Sequence, residues 1–344
     1  MKRIWAILAI IVCLRPFPAE ADMEVHFLDV GQGDCAIVVA DGEAMIIDGG
    51  TSYNSRKVYR YIRDTLGLKE IRIMVATHPH EDHIGGLSGA MNAAPVGVLL
   101  TPVMEWTETD ILNNLIRYAD RQGTVCAVPM DGDQYALGQA TITILMSWPE
   151  AWSENDMSIV LRVDYGERSF LFTGDAEYML EYMMVDSGQE LKADVLKVGH
   201  HGSASSSTKE FLEAVRPEYA VISCGTGNIY LHPRQETLDR LAGMDVSLYR
   251  TDLQGDVVFH TDGTDLEVRT QKEALNAELF RAPEISEVYA EMPESTLVGS
   301  MRSMKYHARD CVYGQSISER NRVVFADAEE AMEAGFAACG VCRP

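Results

Sequence analysis

The chain has 344 residues, 47% hydrophobic and 24% charged, enough apolar material to bury a substantial core. It carries 52 acidic residues against 29 basic ones, a net charge of −23. Such a field repels polyanions, so it counts against broad nonspecific nucleic-acid binding unless bound divalent cations change the sign locally.

In chain order, Lys2 and Arg3 precede an apolar run from Ile4 to Leu14, and the stretch closes on Ala19-Glu20-Ala21. That order predicts a secretory signal peptide over residues 1–21 and an exported chain beginning near Asp22. The run is short for a bilayer span, and a retained N-terminal anchor is the alternative. No later apolar run is long enough to cross a membrane.

From Met23 to about Thr270, strand-like apolar runs alternate with amphipathic ones. EVHFLDV, CAIVVA and EAMIIDGG predict three strands separated by glycine-rich turns. SRKVYRYIRDTLGL has helical spacing, and IRIMVAT is a short strand that delivers His78 at its end. A helix near Asp110–Arg121 follows, then the strands QATITILMS, SIVLRVDY and RSFLFTGD. The helix AEYMLEYMMV, the strand ADVLKVG, the helix STKEFLEAV, the strand EYAVISCG and the helix RQETLDRLAG complete the series. This alternation suggests two sheets covered by helices, α/β or α+β.

Residues 271–296 hold six Glu against one Lys and one Arg, with two prolines, and predict a solvated acidic linker. The last 48 residues, from Leu297, are charge-balanced with six basic and six acidic side chains. They contain three of the cysteines.

The chemistry concentrates in Thr77-His78-Pro79-His80-Glu81-Asp82-His83. His78 and His80 alternate along an extended segment and can face the same way, while Asp82 and His83 enter a helix. Imidazoles with a carboxylate suit zinc, iron or manganese, and two such pairs can serve two adjacent metals. The bland reading, a polar loop with satisfied histidines, does not explain three of nine histidines within six residues.

That motif resembles the metallo-β-lactamase superfamily. The flanking FLDVGQGDCAIV, IIDGG, THPHEDHIGGL, NDMSIVLRVDYGERSFLFTGDAE, DVLKVGHHGSASSS and AVISCG resemble its ComEC-like competence-protein branch over about Glu24 to Thr270. The resemblance implies an α+β, four-layer αββα sandwich over residues 23–270 that binds two divalent cations, zinc or manganese. His78, His80, Asp82 and His83 are its first ligands, and Asp175 matches the carboxylate shared by both metals. His200 and His201 match paired histidines that face metal or a phosphoryl oxygen, and His232 a ligand of the second metal. Asp48 matches a carboxylate that orients the histidine motif, and Asp34 sits in a glycine-rich segment that reaches the site or caps a turn. Asp82, His200 and His201 carry the catalytic expectation. Where many members place a further His, this chain reads Ser153-Glu154-Asn155-Asp156-Met157-Ser158; Asn155, Asp156 or water could take its place. HGSASSST offers hydroxyls and N–H groups at a helix start, for a phosphate or merely for an N-cap by Ser206 or Ser207.

At the C-terminus, His307-x3-Cys311 and Cys339-x2-Cys342 have the spacing of a tetrahedral zinc site, with a Cys339–Cys342 disulfide as the alternative. Residues 297–344 resemble the small metal-binding domain of the Ada repair protein, with His307 in place of its first cysteine. The resemblance implies one structural zinc holding the module folded.

The leading expectation is therefore an exported dinuclear metal-dependent hydrolase, a phosphodiesterase or nuclease acting on DNA or another phosphodiester. The alternatives are a hydrolase of a small ester or phosphocholine-type phosphodiester, and a non-catalytic surface-binding protein.

Overall fold

The computed structural model describes residues 22–344 except 108, 284–295, 310, 318–320 and 326. The expected signal peptide and the second half of the expected linker lie outside the described residues.

The apolar runs are long because both faces of most strands are covered, so alternation of side chains distributes residues between two cores rather than between core and water. In β3 (Glu43–Ile47), Met45 and Ile47 enter the core between the sheets while Ile46 packs under helices. In β10 (Arg168–Phe172), Phe170 and Phe172 point inward and Leu171 outward. The inner core is aromatic-rich: the rings of Phe27 and Phe172 stack at 5.8 Å, and Phe259 meets Phe27 and Phe170 edge-on.

One sheet runs β15 (Leu266–Thr270), β14 (Val257–Thr261), β1 (Met23–Phe27), β2 (Ala36–Ala40), β3, β4 (Ile71–Val75), β5 (Val96–Leu100) and β6 (Val125–Ala127). The other runs β13 (Ser247–Arg250), β12 (Tyr219–Ile222), β11 (Val195–Lys197), β10, β9 (Val160–Tyr165), β8 (Ala140–Met146) and β7 (Gln134–Leu137). Helices Leu87–Ala93 and Asp110–Gln122 cover the first sheet; Tyr178–Asp186, Lys209–Val215 and Gln235–Ala242 cover the second. This is the αββα sandwich of the metallo-β-lactamase fold.

β3, β4, β5 and β6 are parallel, as are β10, β11, β12 and β13. Their carboxyl ends lie on one edge of the sandwich, the edge where ligand sites of open α/β sheets form. Strands β5, β6, β7, β13, β14 and β15 and helix Leu87–Ala93 are additions to the sequence expectation.

In the expected linker, the helix Asn276–Leu279 anchors through buried Leu279, and Arg250 donates to the carbonyls of Leu279 (3.1 Å) and Arg281 (2.7 Å). After it, β18 (Arg322–Phe325), β16 (Leu297–Ser300), β17 (Lys305–Ala308) and β19 (Ala337–Ala338) form a separate sheet. Among the described residues no helix is long and apolar enough to cross a membrane.

Candidate metal centre

Each strand end contributes one part. β3 is followed directly by Asp48, buried and left-handed at φ 56°. The Thr77 N–H donates to Asp48 Oδ1 at 2.9 Å and its hydroxyl to Oδ2 at 2.6 Å. His83 Nδ1 lies 2.7 Å from the same Oδ2, which orients the ring so that Nε2 points at Asp175, 3.1 Å away. Burial works against a charged His83, but Asp175 and Asp48 outweigh it and raise its pKa well above 6.5. A cation bound there displaces that proton.

β4 ends just before Thr77 and His78. The His78 ring is fully buried, its Nδ1 near the hydroxyls of Thr77 (3.1 Å) and Ser158 (3.4 Å). Burial, with His83 beside it, keeps its pKa well below 6.5, so the ring is neutral. His80 Nδ1 lies 3.0 Å from His78 Nε2, while His80 Nε2 lies 2.8 Å from Glu154 Oε2. Trp106 donates to the other Glu154 oxygen at 2.9 Å. Glu154 therefore ties down the outer nitrogen of His80 and leaves Nδ1 facing the site.

The glycine-rich segment Asp29–Cys35 is pressed against this motif. Gly33 adopts φ 148°, and a Cβ there would lie 2.3 Å from the Asp82 carbonyl oxygen. Gly86 is equally confined, its Cβ position 2.0 Å from the Gly49 carbonyl oxygen. Cys35 is buried among the apolar side chains under the first sheet's helices.

β10 delivers Asp175, buried, with its N–H donating to Ser158 Oγ at 3.0 Å. Four imidazole Nε2 atoms surround its carboxylate: His83 at 3.1 Å, His201 at 3.5 Å, His200 at 3.7 Å and His78 at 3.8 Å. β11 leads to His200 and His201, consecutive left-handed residues at φ 48° and 52°. Non-glycine residues rarely sit there, and two in succession mark a backbone held by its surroundings. His201 Nδ1 lies 2.9 Å from the Ser223 carbonyl and 3.1 Å from Asp34 Oδ1; its Nε2 lies 3.3 Å from Asp82 Oδ2. Against burial, Asp175 and Asp34 raise the His201 pKa to about 10. His200 Nδ1 faces Glu177 Oε1 at 3.3 Å.

Asp34 pairs with Lys197 Nζ at 2.7 Å, both side chains buried. Burial alone would raise the Asp34 pKa, but Lys197 and His201 bring it below the usual carboxylate value.

Asn155, Asp82, Tyr230 and His232 line the same cavity, of about 310 Å³. The Asn155 side chain bonds the Glu177 carboxylate, and its Oδ1 is buried without a hydrogen bond. Asp156 turns elsewhere: its Oδ1 accepts the Glu177 N–H at 2.8 Å before the helix Tyr178–Asp186. The His232 ring lies 5.3 Å from that of His200 and is stacked at 27° on Tyr230.

Two groups of donor atoms converge within 4.8 Å: Asp34, His83, Asp175 and His201 in one, His78, His80 and Asp175 in the other. Asp82, His200 and His232 lie beside these groups and outside them. The donor chemistry suits divalent cations: buried carboxylates among crowded imidazole nitrogens, four of which stand within 3.8 Å of Asp175.

The serine-rich segment is not an open phosphate site. The N–H groups of Ser207 and Thr208 both donate to the buried Glu181 carboxylate, Thr208 at 2.8 Å. The N-cap of Lys209–Val215 is Thr208, whose hydroxyl accepts the Phe211 N–H at 3.4 Å, rather than Ser206 or Ser207. A carboxylate brought from another helix was not legible in the segment itself.

In the C-terminal module, donor atoms of His307, Cys311, Cys339 and Cys342 converge within 4.8 Å, and the cysteines are free thiols rather than a disulfide. Hydrogen bonds from the Cys342 and Val341 N–H groups lower the Cys339 pKa, a thiolate-favouring arrangement suited to a cation.

Lys197, Glu154 and Glu177 are partners that sequence reasoning missed. The one available signal was a lysine inside the apolar run ADVLKVG.

The family model described as "Metallo-beta-lactamase superfamily" matches residues 28–103 and 147–226. ComE operon protein 3 of Bacillus subtilis is 31% identical over 261 residues, covering 70% of this chain and 33% of that protein. Recombination protein 2 of Haemophilus influenzae is 30% identical over 240 residues, covering 68% and 28%. The chain thus spans about a third of the length of these curated relatives. Among solved structures, the metallo-beta-lactamase fold protein YhfI from Bacillus subtilis aligns over 70% of this chain and 100% of its own, at 12% identity and a TM-score of 0.48.

Proposed function

Because this chain belongs to the metallo-β-lactamase superfamily and is related to the ComEC-like competence proteins, we propose that it is an exported, dinuclear metal-dependent phosphodiesterase that acts on DNA or a chemically related phosphodiester. The observation that carries the reading is the sharing of Asp175 by two separate groups of histidine and carboxylate donors. Two divalent cations bound there would supply an ionised water near neutral pH and positive charge against a phosphoryl oxygen.

The chain's own residues divide the remaining work. His78 and His80 would hold one cation with Asp175, and Asn155, which lines the same cavity with its Oδ1 unpaired, would offer a further oxygen where other members carry a histidine. His83 and His201 would hold the other with Asp175, and Asp82 and His232 stand beside that donor group. Of the histidine pair His201 would be the ligand, because it belongs to a donor group that His200 does not, and Asp34, anchored by Lys197, sets its ring. His200 is the proton donor. Its ring lines the cavity, with Nε2 3.7 Å from Asp175 Oδ2 and Nδ1 held by Glu177 Oε1 at 3.3 Å, which aims one nitrogen at the site and anchors the other. In the C-terminal module His307, Cys311, Cys339 and Cys342 would hold a structural zinc, which would support a sheet with little core of its own.

The net charge of −23 favours a second reading, a small phosphodiester or ester substrate. Purified protein loaded with manganese or zinc, assayed on single-stranded DNA beside bis-p-nitrophenyl phosphate, separates the two. Cleavage of both supports the nuclease reading. Turnover of the small ester alone favours the second, and turnover of neither removes both.

A further inference from the structure

We propose that Arg322 is a positioning residue for the metal centre: reaching from the C-terminal module, it holds the loop 225–232 so that Tyr230 and His232 stand at the cavity. The inference rests on reading that cavity as a hydrolase centre.

Arg322 opens β18 and is buried. Its guanidinium donates to the carbonyl of Ile229 in the loop at 2.6 Å, and to those of Ile317 (2.6 Å) and Gln315 (3.5 Å) within the module. One rigid planar fork therefore spans the two parts of the chain. Around it, Val298 and Ile317 of the module pack on Ile229 and Leu231 of the loop. Both sequence neighbours of Tyr230 are thus clamped by the module, while Tyr230 itself lines the cavity against His232.

The loop needs such a hold. Leu231 is left-handed at φ 58°, a conformation a branched side chain keeps only when its surroundings impose it. Within the loop, Asn228 binds the Gly225 carbonyl (2.8 Å), the His232 carbonyl (2.6 Å) and the His232 N–H (2.9 Å). Those bonds close the loop on itself; the contacts of Ile229 and Leu231 with the module fix its middle.

The contact is also built on the module's cysteine and histidine cluster. The Gln315 N–H donates to the Cys311 carbonyl at 2.9 Å, so the carbonyls gripped by Arg322 end the turn that begins at Cys311. Val298 pairs with His307 across the sheet. Loosening the cluster therefore loosens both the apolar and the polar half of the contact, and the module becomes a brace whose integrity is felt at Tyr230 and His232.

Hydrogen–deuterium exchange on the full-length, metal-loaded protein tests this, comparing Arg322→Ala, Arg322→Lys and the mild Ile317→Val. The expected result is faster exchange of amides 229–231 by roughly three- to thirtyfold in Arg322→Ala, with Lys intermediate because it keeps charge but loses the fork. KM for bis-p-nitrophenyl phosphate rises by a similar factor while kcat and the cation content of the hydrolase centre hold. If Arg322→Ala does not fold, Arg322→Lys and Ile317→Val carry the same signature at smaller amplitude. Unchanged loop exchange in the folded variants overturns the brace, as does a KM change without a loop change. A wild-type protein that binds cations but turns over no phosphodiester overturns the hydrolase reading instead, and the exchange data still decide the brace.

Discussion

His83 Nδ1 lies 2.7 Å from Asp48 Oδ2, and that same carboxylate takes the N–H and hydroxyl of Thr77 beside His78. One buried side chain thus sets two histidines belonging to different donor groups. Asp48→Asn keeps the shape but weakens both bonds. Cation affinity should fall about 10- to 100-fold with the fold intact, measured by competition against a chelator of known strength. Equal affinity in the two proteins would remove Asp48 from the site.

The buried Lys197–Asp34 pair makes a different prediction. Lys197→Met strands a carboxylate in the core and should destabilise by about 3–5 kcal/mol in urea unfolding. Adding Asp34→Asn to that variant should recover most of the loss, because no uncompensated charge is left. A double variant no more stable than the single one contradicts the pairing.

How much of this was legible in the sequence follows from distance along the chain. Thr77–His83 lies within seven residues, and its alternation already put His78 and His80 on one side. The two-sheet architecture was legible too, because doubly covered strands read as continuous apolar runs. The partners were not: Glu154 is 74 residues from His80, and Asp34 is distant in sequence from Lys197, so only the folded chain joins them. Asn155 and Asp156 were equivalent candidates in the sequence, and the 3-10 turn Asn155–Met157 separates them, sending one to the cavity and the other to a helix start.

His26 gives a pH prediction away from the metal centre. Burial lowers its pKa below 6.5, against the upward pull of Glu24 and Asp256. With the folded pKa depressed, the neutral ring is the favoured form in the fold. Stability is therefore fully present above the unfolded value and is lost as pH falls below about 6.5. His26→Gln cannot titrate, so its stability should fall less steeply than wild type between pH 7 and 5, read as the difference between two urea-unfolding series. Parallel curves would contradict the assignment.

The C-terminal cluster predicts selective sensitivity. Cys342→Ser should remove one cation per chain and lower the unfolding temperature of the module, leaving the sandwich transition in place. Calorimetry and elemental analysis together check this; an unchanged metal content would exclude the cysteine set as a site.

The most direct measurement is elemental analysis of reconstituted wild-type protein and Asp175→Asn, with hydrolysis of bis-p-nitrophenyl phosphate followed on the same samples. The account predicts two cations outside the C-terminal cluster in the wild type. In the variant it predicts loss of at least one of them and a rate lower by on the order of a hundredfold or more. A folded wild type that holds no cation outside the cluster, or a variant that keeps both cations and the full rate, would contradict it.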